Sequence, residues 1–264
     1  MAQTTTVDPM IAEMPRGGPN ASWLERRLQT DALEYTDRCD IADEVKQKVI
    51  SALDWMGTRT GQHETNARVA LALVAEVPKP RILELGAGHG NLSAKILELH
   101  PTATVTTSDL DPTSVAKISS GELDANPRVR TQVVDATAID ADDENYDLVV
   151  FTQAFHHLPP AIAYRAIAEA TRVANQFLLI DLKRHSPLLL LLALLAMAPL
   201  SVVPRLRPLM HDGFISVLRV YSRSAFVALG KAASPQMHTD FLPSASRFGP
   251  APTIVVFSRS STQS

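Results

Sequence analysis

The chain has 264 residues, a formal net charge of −3 and 45% apolar residues. That is enough for one α/β domain with additions and a substantial core. No overall basic field draws it to nucleic acid, and no Lys/Arg cluster is interleaved with aromatics. The single cysteine, Cys39, excludes an internal disulfide and a cysteine-rich zinc site, and fits a reducing cytoplasm.

Residues 1–20 are rich in Thr, Pro and Gly and lack the apolar segment of a secretion signal. They read as a disordered lead-in, with 21–264 forming a single domain. Three helical patterns fill 21–77. The first runs from about Ser22 to Arg38. The second carries Ile41, Val45, Val49 and Leu53 on one face and ends near Trp55–Gly57. The third runs from Glu64 to Val77, with Gly61–Glu64 as its cap and His63 a weaker pocket candidate. Such helices either cover a pocket mouth or pack on a sheet edge, and the second role is the expected one.

A regular alternation follows. The pattern predicts strands at Arg81–Leu85, Thr104–Ser108, Arg130–Val134, Leu148–Phe151 and Phe177–Ile180. Between them it predicts helices at Asn91–Leu99, from Asp111-Pro112 (a cap followed by proline at the first helical position), and from Pro159-Pro160 to Val173. Strands alternating with helices imply a parallel sheet covered on both faces. Residues 235–241 and 252–258 read as two further strands in an antiparallel hairpin at the sheet edge.

An insertion, 183–221, interrupts this pattern after the fifth strand. Residues 188–203 are apolar on every helical face, shorter than the roughly 20 residues of a spanning helix, and broken by Pro199. The run is a lid over an apolar pocket, a peripheral contact with a membrane, or core packed against the N-terminal helices. Lys183, Arg184, Arg205 and Arg207 flank it and suit anionic headgroups.

Chemistry concentrates at the carboxyl ends of the strands, where open α/β sheets bind ligands. Residues 82–90 read Ile-Leu-Glu-Leu-Gly-Ala-Gly-His-Gly. A dinucleotide fingerprint needs a small residue where Asn91 stands, and no Gly-Lys-Ser/Thr ends a phosphate loop. Glu84, two residues before the first glycine, disfavours a diphosphate and suits a cationic ligand. A nucleoside cofactor without phosphates is left.

At this point the chain resembles the class I S-adenosylmethionine-dependent methyltransferases, whose first motif reads E/D-x-G-x-G-x-G. The resemblance covers roughly Ala67–Arg259. It implies a Rossmann-like three-layer sandwich. The sheet would have seven strands, mostly parallel, with the C-terminal strand antiparallel, and N-terminal helices and a helical insertion added. It implies S-adenosylmethionine as cofactor, held by Glu84, Gly86, Ala87, Gly88 and Gly90 after strand one. Asp109 and Leu110 after strand two would take the ribose; otherwise Asp109 only caps its turn. Asp135 and Ala136 after strand three would take the adenine, and Gln153 after strand four would flank the methionine part. Asp181, after strand five, borders the insertion and reads as a solvated loop residue.

His156 and His157 close the segment after strand four. An imidazole there either takes an acceptor proton or hydrogen-bonds its neighbours. His211, beside Asp212, borders the pocket if the insertion is a lid. No metal site is expected, because adjacent residues on a turn rarely converge on one ion. The expected reaction is methyl transfer to oxygen or nitrogen of an apolar small-molecule acceptor. The alternatives are carbon methylation of a quinone- or polyketide-like ring, a non-catalytic module at a membrane surface or partner, and a nicotinamide oxidoreductase.

Overall fold

A computed structural model describes residues 9–204, 206–244 and 251–259. Two short helices open it, α1 (Pro9–Ala12) and α2 (Trp23–Arg27). Within the segment read as a disordered lead-in, residues 14–18 are buried. Arg16 is 2% exposed. Its guanidinium donates to the carbonyls of His156 and Arg219 at 2.8 Å each and of Leu158 at 3.3 Å, and lies over the Tyr221 ring.

The helix expected over 22–38 also stops early. Ser22 and Glu25 form a reciprocal capping box, but α2 ends at Arg27. Farther on, the backbone N–H groups of Tyr35 and Thr36 donate to the Asp212 carboxylate, 2.7 and 3.4 Å away, rather than to a preceding helical turn. Only a 3-10 turn forms there, Tyr35–Asp37. Helix α3 (Asp43–Thr60) and helix α4 (Gln62–Leu73) meet at Gly61. Gly61, at φ +69°, takes the left-handed conformation that ends α3, so the helix runs past the stop expected at Gly57.

The sheet contains β1 (Arg81–Leu85), β2 (Thr104–Asp109), β3 (Val129–Val133), β4 (Tyr146–Thr152), β5 (Ala174–Asp181), β6 (Met237–Leu242) and β7 (Thr253–Arg259). Between them lie α5 (Asn91–Leu99), α6 (Pro112–Ser119), α7 (Pro160–Val173), α8 (Pro187–Met197), α9 (Arg207–Arg219) and α10 (Arg223–Ala233). Strand order is β3-β2-β1-β4-β5-β7-β6. Only β7 runs antiparallel, inserted between β5 and β6. This is the seven-stranded sandwich expected from sequence, with the final strand reversed.

Alternate residues of the central strands point to opposite faces, and both faces are buried. Leu83, Leu85, Val149, Phe151, Phe177 and Leu179 pack under α7 and α10. Ile82, Leu148, Val150, Leu178 and Ile180 pack under α4 and α5. The order reverses between β2-β1 and β1-β4, which opens a crevice at the carboxyl ends of β1 and β4. Every site residue discussed below is held at or over that edge.

Candidate cofactor cleft and histidine–carboxylate cluster

β1 leads straight into the glycine loop. Gly86 and Gly90 sit at φ +60° and +79°, where side chains are strained. A Cβ would in addition lie 2.8 Å from the Phe151 ring at Gly86 and 2.7 Å from Leu123 at Gly90. The loop is latched to β2. Ala87 N–H donates to the Ser108 carbonyl, and Gly88 N–H to Asp109 Oδ2, both at 2.9 Å.

Glu84 lies beneath this loop rather than open beside it. It is 1% exposed and accepts from the Ser93 N–H at 3.0 Å and from the Ser93 hydroxyl. Burial pushes its carboxyl up to about 8. Asp109 is only half-buried. Its second oxygen accepts the Asp111 N–H at 2.9 Å, and each oxygen keeps a lone pair for a further donor. Asp111 is the α6 cap, accepting from Thr113 and Ser114. Leu110 is 64% exposed next to Asp109, an apolar side chain with an open face. Asp135 is exposed and closes a turn by accepting the Thr137 N–H and hydroxyl at 2.8 Å, with half-buried Ala136 beside it. Gln153 has a left-handed backbone, φ +55°, and its N–H donates to Ile180.

Helix α3 roofs the loop, rather than packing on the sheet edge as expected. His89, inside the glycine loop, lies 2.5 Å from Asp54 and 2.8 Å from the Gln47 amide oxygen. The Gln47 amide nitrogen reaches Asp111 and the Ser114 hydroxyl at the start of α6. Ile50 stands over Gly88. Gln47, Ile50 and Asp54 share one helical face at i, i+3 and i+7, a spacing visible in the sequence. His63, in contrast, fills the notch left by Gly57 and faces the Asp54 carbonyl, so its role is packing.

The second half of the site is a cluster around the 3-10 turn Phe155–His157 after β4. His156 is 2% exposed. Its Nδ1–H donates to Asp181 Oδ1 at 2.8 Å, and its backbone N–H donates to Oδ2 at 3.0 Å. Asp181 is thus a buried anchor of the site, not the solvated loop residue expected. The Nε2 of His156 is buried with no hydrogen-bond partner and stands 3.5 Å from Glu34 Oε1. Burial alone lowers the pKa of this imidazole, but Asp181 and Glu34 outweigh it and raise it to about 9.

His157 is partly exposed. Its Nδ1–H donates to Asp37 Oδ1 at 2.6 Å, and its Nε2 stands 3.6 Å from Glu34 Oε2. Two adjacent histidines, which were not expected to converge, therefore both face one carboxylate supplied from a distant segment. Asp37 is held down at about 2: burial works against this, and the hydrogen bonds from His157 and Arg219 win. Arg219 donates to Asp37 Oδ2 at 2.7 Å and to the His157 carbonyl, and Ser216 donates to Glu34 at 2.9 Å. His211 is at the rim, its Nδ1–H on Asp212 at 2.8 Å and its ring stacked on Tyr35 at 4.0 Å.

Glu34, Asp37, Arg219 and Arg16 were not found by sequence reasoning. Each meets the histidines across more than 60 residues of chain, and no local spacing announces such a contact.

The insertion departs from its core reading. On α8 only Leu190 is buried, while Leu188, Leu189, Leu191, Leu192 and Leu195 are 46–66% exposed. Arg184 is partly buried, its guanidinium donating to the Val220 carbonyl at 2.7 Å. Lys183 and Arg207 are exposed, and Arg205 lies outside the described residues. Among the described residues no helix is long and apolar enough to cross a membrane.

Comparison with known proteins gives one family model, a methyltransferase domain, matching residues 82–176. A curated relative, malonyl-[acyl-carrier protein] O-methyltransferase of Geobacter sulfurreducens, is 33% identical over 123 residues. That match covers 46% of this chain and 45% of the relative, so the chain spans less than half of the relative's length. Among solved structures, the plantazolicin methyltransferase BpumL in complex with SAH is similar at a TM-score of 0.63 and 13% identity, covering 89% of this chain and 96% of that one. A protein described as a putative O-methyltransferase from Nostoc punctiforme has a TM-score of 0.59 at 15% identity, covering 88% and 64%. Residues 82–176 thus match a methyltransferase domain, and with its acidic glycine motif, its strand order and a reversed last strand the chain has the fold of the class I S-adenosylmethionine-dependent methyltransferases.

Proposed function

We propose that this chain transfers the methyl group of S-adenosylmethionine to an oxygen or nitrogen atom of a small, largely apolar acceptor. The observation that carries the reading is a juxtaposition at one sheet edge. The glycine loop, Asp109 and Leu110 stand at the ends of β1 and β2, and the Glu34–His156–His157 cluster stands after neighbouring β4. Bound S-adenosylmethionine supplies a methyl group already activated by its sulfonium. The protein's tasks are therefore positioning, exclusion of water and proton handling.

Asp109 accepts from the ribose hydroxyls, and Leu110 gives the adenine an apolar face. Glu84 supports the loop from beneath through its bonds to Ser93. The histidine cluster faces the acceptor side. His156 is locked by Asp181, while His157, reachable from solvent and oriented by Asp37, is the better placed to receive the acceptor's proton. His211 orients acceptors at the rim. The exposed leucines of α8, directly after β5, support an apolar acceptor or an apolar surface as partner.

Calorimetry with S-adenosylhomocysteine and with NADH tests the cofactor half. Binding of the first alone is expected, and binding of NADH alone overturns the reading. Turnover of labelled cofactor against apolar alcohols, acids and amines tests the transfer. His157→Ala is expected to slow it by about 10²- to 10⁴-fold at unchanged cofactor affinity.

A further inference from the structure

The cluster has an arrangement that proton transfer alone does not need. The Nε2 atoms of His156 and His157 and the carboxylate of Glu34 all lie within 4.8 Å of one another. One Glu34 oxygen faces each imidazole, at 3.5 and 3.6 Å. A tetrahedral ion with bonds of about 2.0–2.1 Å sets its ligand atoms about 3.3 Å apart, so both carboxylate–imidazole distances already stand near ligand spacing.

The far side of each ring points the same way. A metal-binding imidazole characteristically donates its other N–H to a carboxylate, which fixes ring and tautomer. Here both do: His156 Nδ1 to Asp181 at 2.8 Å and His157 Nδ1 to Asp37 at 2.6 Å. The Nε2 atoms are thereby turned toward each other's space, and that of His156 is buried without a hydrogen-bond partner, an arrangement that costs free energy unless something is bound there. Four carboxylates, Glu34, Asp37, Asp181 and Asp212, surround the turn, with the guanidiniums of Arg16 and Arg219 beside them.

We propose that Glu34, His156 and His157 form a binding site for one divalent transition-metal ion, with Asp181 and Asp37 orienting the two histidines. Two imidazoles and a carboxylate suit zinc or a neighbouring first-row ion better than magnesium or calcium. Three protein ligands leave a coordination position open. Resting on the methyl-transfer reading, that position takes an oxygen or nitrogen of the acceptor. With the ion bound, the pKa of such an oxygen falls, and the ion takes over from His157, which receives the proton only in the metal-free protein.

The test uses the untagged full chain, stripped with a chelator and titrated with Co²⁺ while visible absorption and heat are followed. One equivalent is expected to bind at micromolar metal, with the intense ligand-field bands of a four-coordinate site. His157→Ala and Glu34→Gln are expected to weaken cobalt binding by more than about a hundredfold, and Asp37→Asn by about 10- to 100-fold. S-adenosylhomocysteine affinity is expected to stay unchanged in all three. Glu34 is buried, so its variant is read only if its circular dichroism is native; partly exposed His157 supplies the decisive variant. Absence of a stoichiometric site in the folded wild type, or wild-type cobalt affinity in His157→Ala, overturns the metal site. If S-adenosylhomocysteine binds and cobalt does not, the metal site fails alone; if cobalt binds and S-adenosylhomocysteine does not, the cofactor reading fails alone.

Discussion

Asp181 holds His156 at two points, accepting the ring Nδ1–H at 2.8 Å and the backbone N–H at 3.0 Å. Both residues are at most 2% exposed. One carboxylate therefore fixes the position of the turn and the orientation of its imidazole together, at the junction of β4 and β5.

Asp181→Ala leaves a buried imidazole and a buried N–H without their acceptor. Breaking a buried charged pair from one side costs about 3–5 kcal/mol, a large share of the stability of a domain. Urea unfolding is expected to show a loss of that order. Asp181→Asn can still accept the backbone N–H and is expected to lose less. Equal stability of the alanine variant and wild type contradicts the anchoring role.

Much of the frame was legible in the sequence, and the reason is local. β1 at Arg81–Leu85, α5 at Asn91–Leu99 and the Asp111 cap of α6 follow from apolar runs, a left-handed glycine and a capping side chain, all acting within a few residues. The segment 22–38 misled because its amphipathic pattern is real, yet Asp212 takes its backbone donors from 177 residues away. The glycine loop is a local feature of one contiguous stretch, 84–90, whose left-handed glycines are visible in the sequence. On the acceptor side, His156 and His157 were visible, but Glu34, Asp37 and Arg219 acquire meaning only when the N-terminal segment and α9 fold over the turn.

Asp109→Ala removes the acceptor proposed for the ribose. Loss of two charge-assisted bonds, less what water restores, amounts to about 2–3 kcal/mol, or about 30- to 150-fold in affinity. Asp109 also accepts the Gly88 and Asp111 amides, so a general loosening of the loop is a competing cause. Adenosine and S-adenosylhomocysteine affinities separate the two. The ribose role predicts a similar factor for both ligands, whereas unchanged affinity in a folded variant removes it.

Glu84 makes the cofactor-free protein sensitive to alkali. Its carboxyl is pushed from an ordinary 4.5 to about 8 by burial. Below pH 4.5 it is neutral in both the folded and the unfolded chain and contributes nothing to the pH dependence. Between 4.5 and about 8 the folded state keeps a proton that the unfolded state has lost, so stability falls as pH rises. Above about 8 the slope ends and the full destabilisation remains. Glu84→Gln has no such group, and melting curves of the two proteins from pH 4 to 9, taken without cofactor, are expected to converge at the acid end and diverge at the alkaline end. Parallel curves mean that Glu84 ionises in the folded state as it does in water.

The leucines of α8 are the clearest case in which exposure decides between roles. In a packed core, Leu191→Glu or Leu195→Glu buries an unpaired carboxylate and threatens the fold. Both leucines are in fact exposed, at 46% and 61%. Glutamate and leucine differ little in helix propensity. Each variant is therefore expected to unfold within about 0.5 kcal/mol of wild type and to bind S-adenosylhomocysteine equally well. What should fall is contact with apolar partners, measured as turnover on an apolar acceptor and as flotation with vesicles containing anionic lipid. Loss of turnover without loss of flotation identifies α8 as a lid over the acceptor, and the reverse identifies it as a membrane contact. A large drop in melting temperature in both variants returns the segment to the core and removes it from either role.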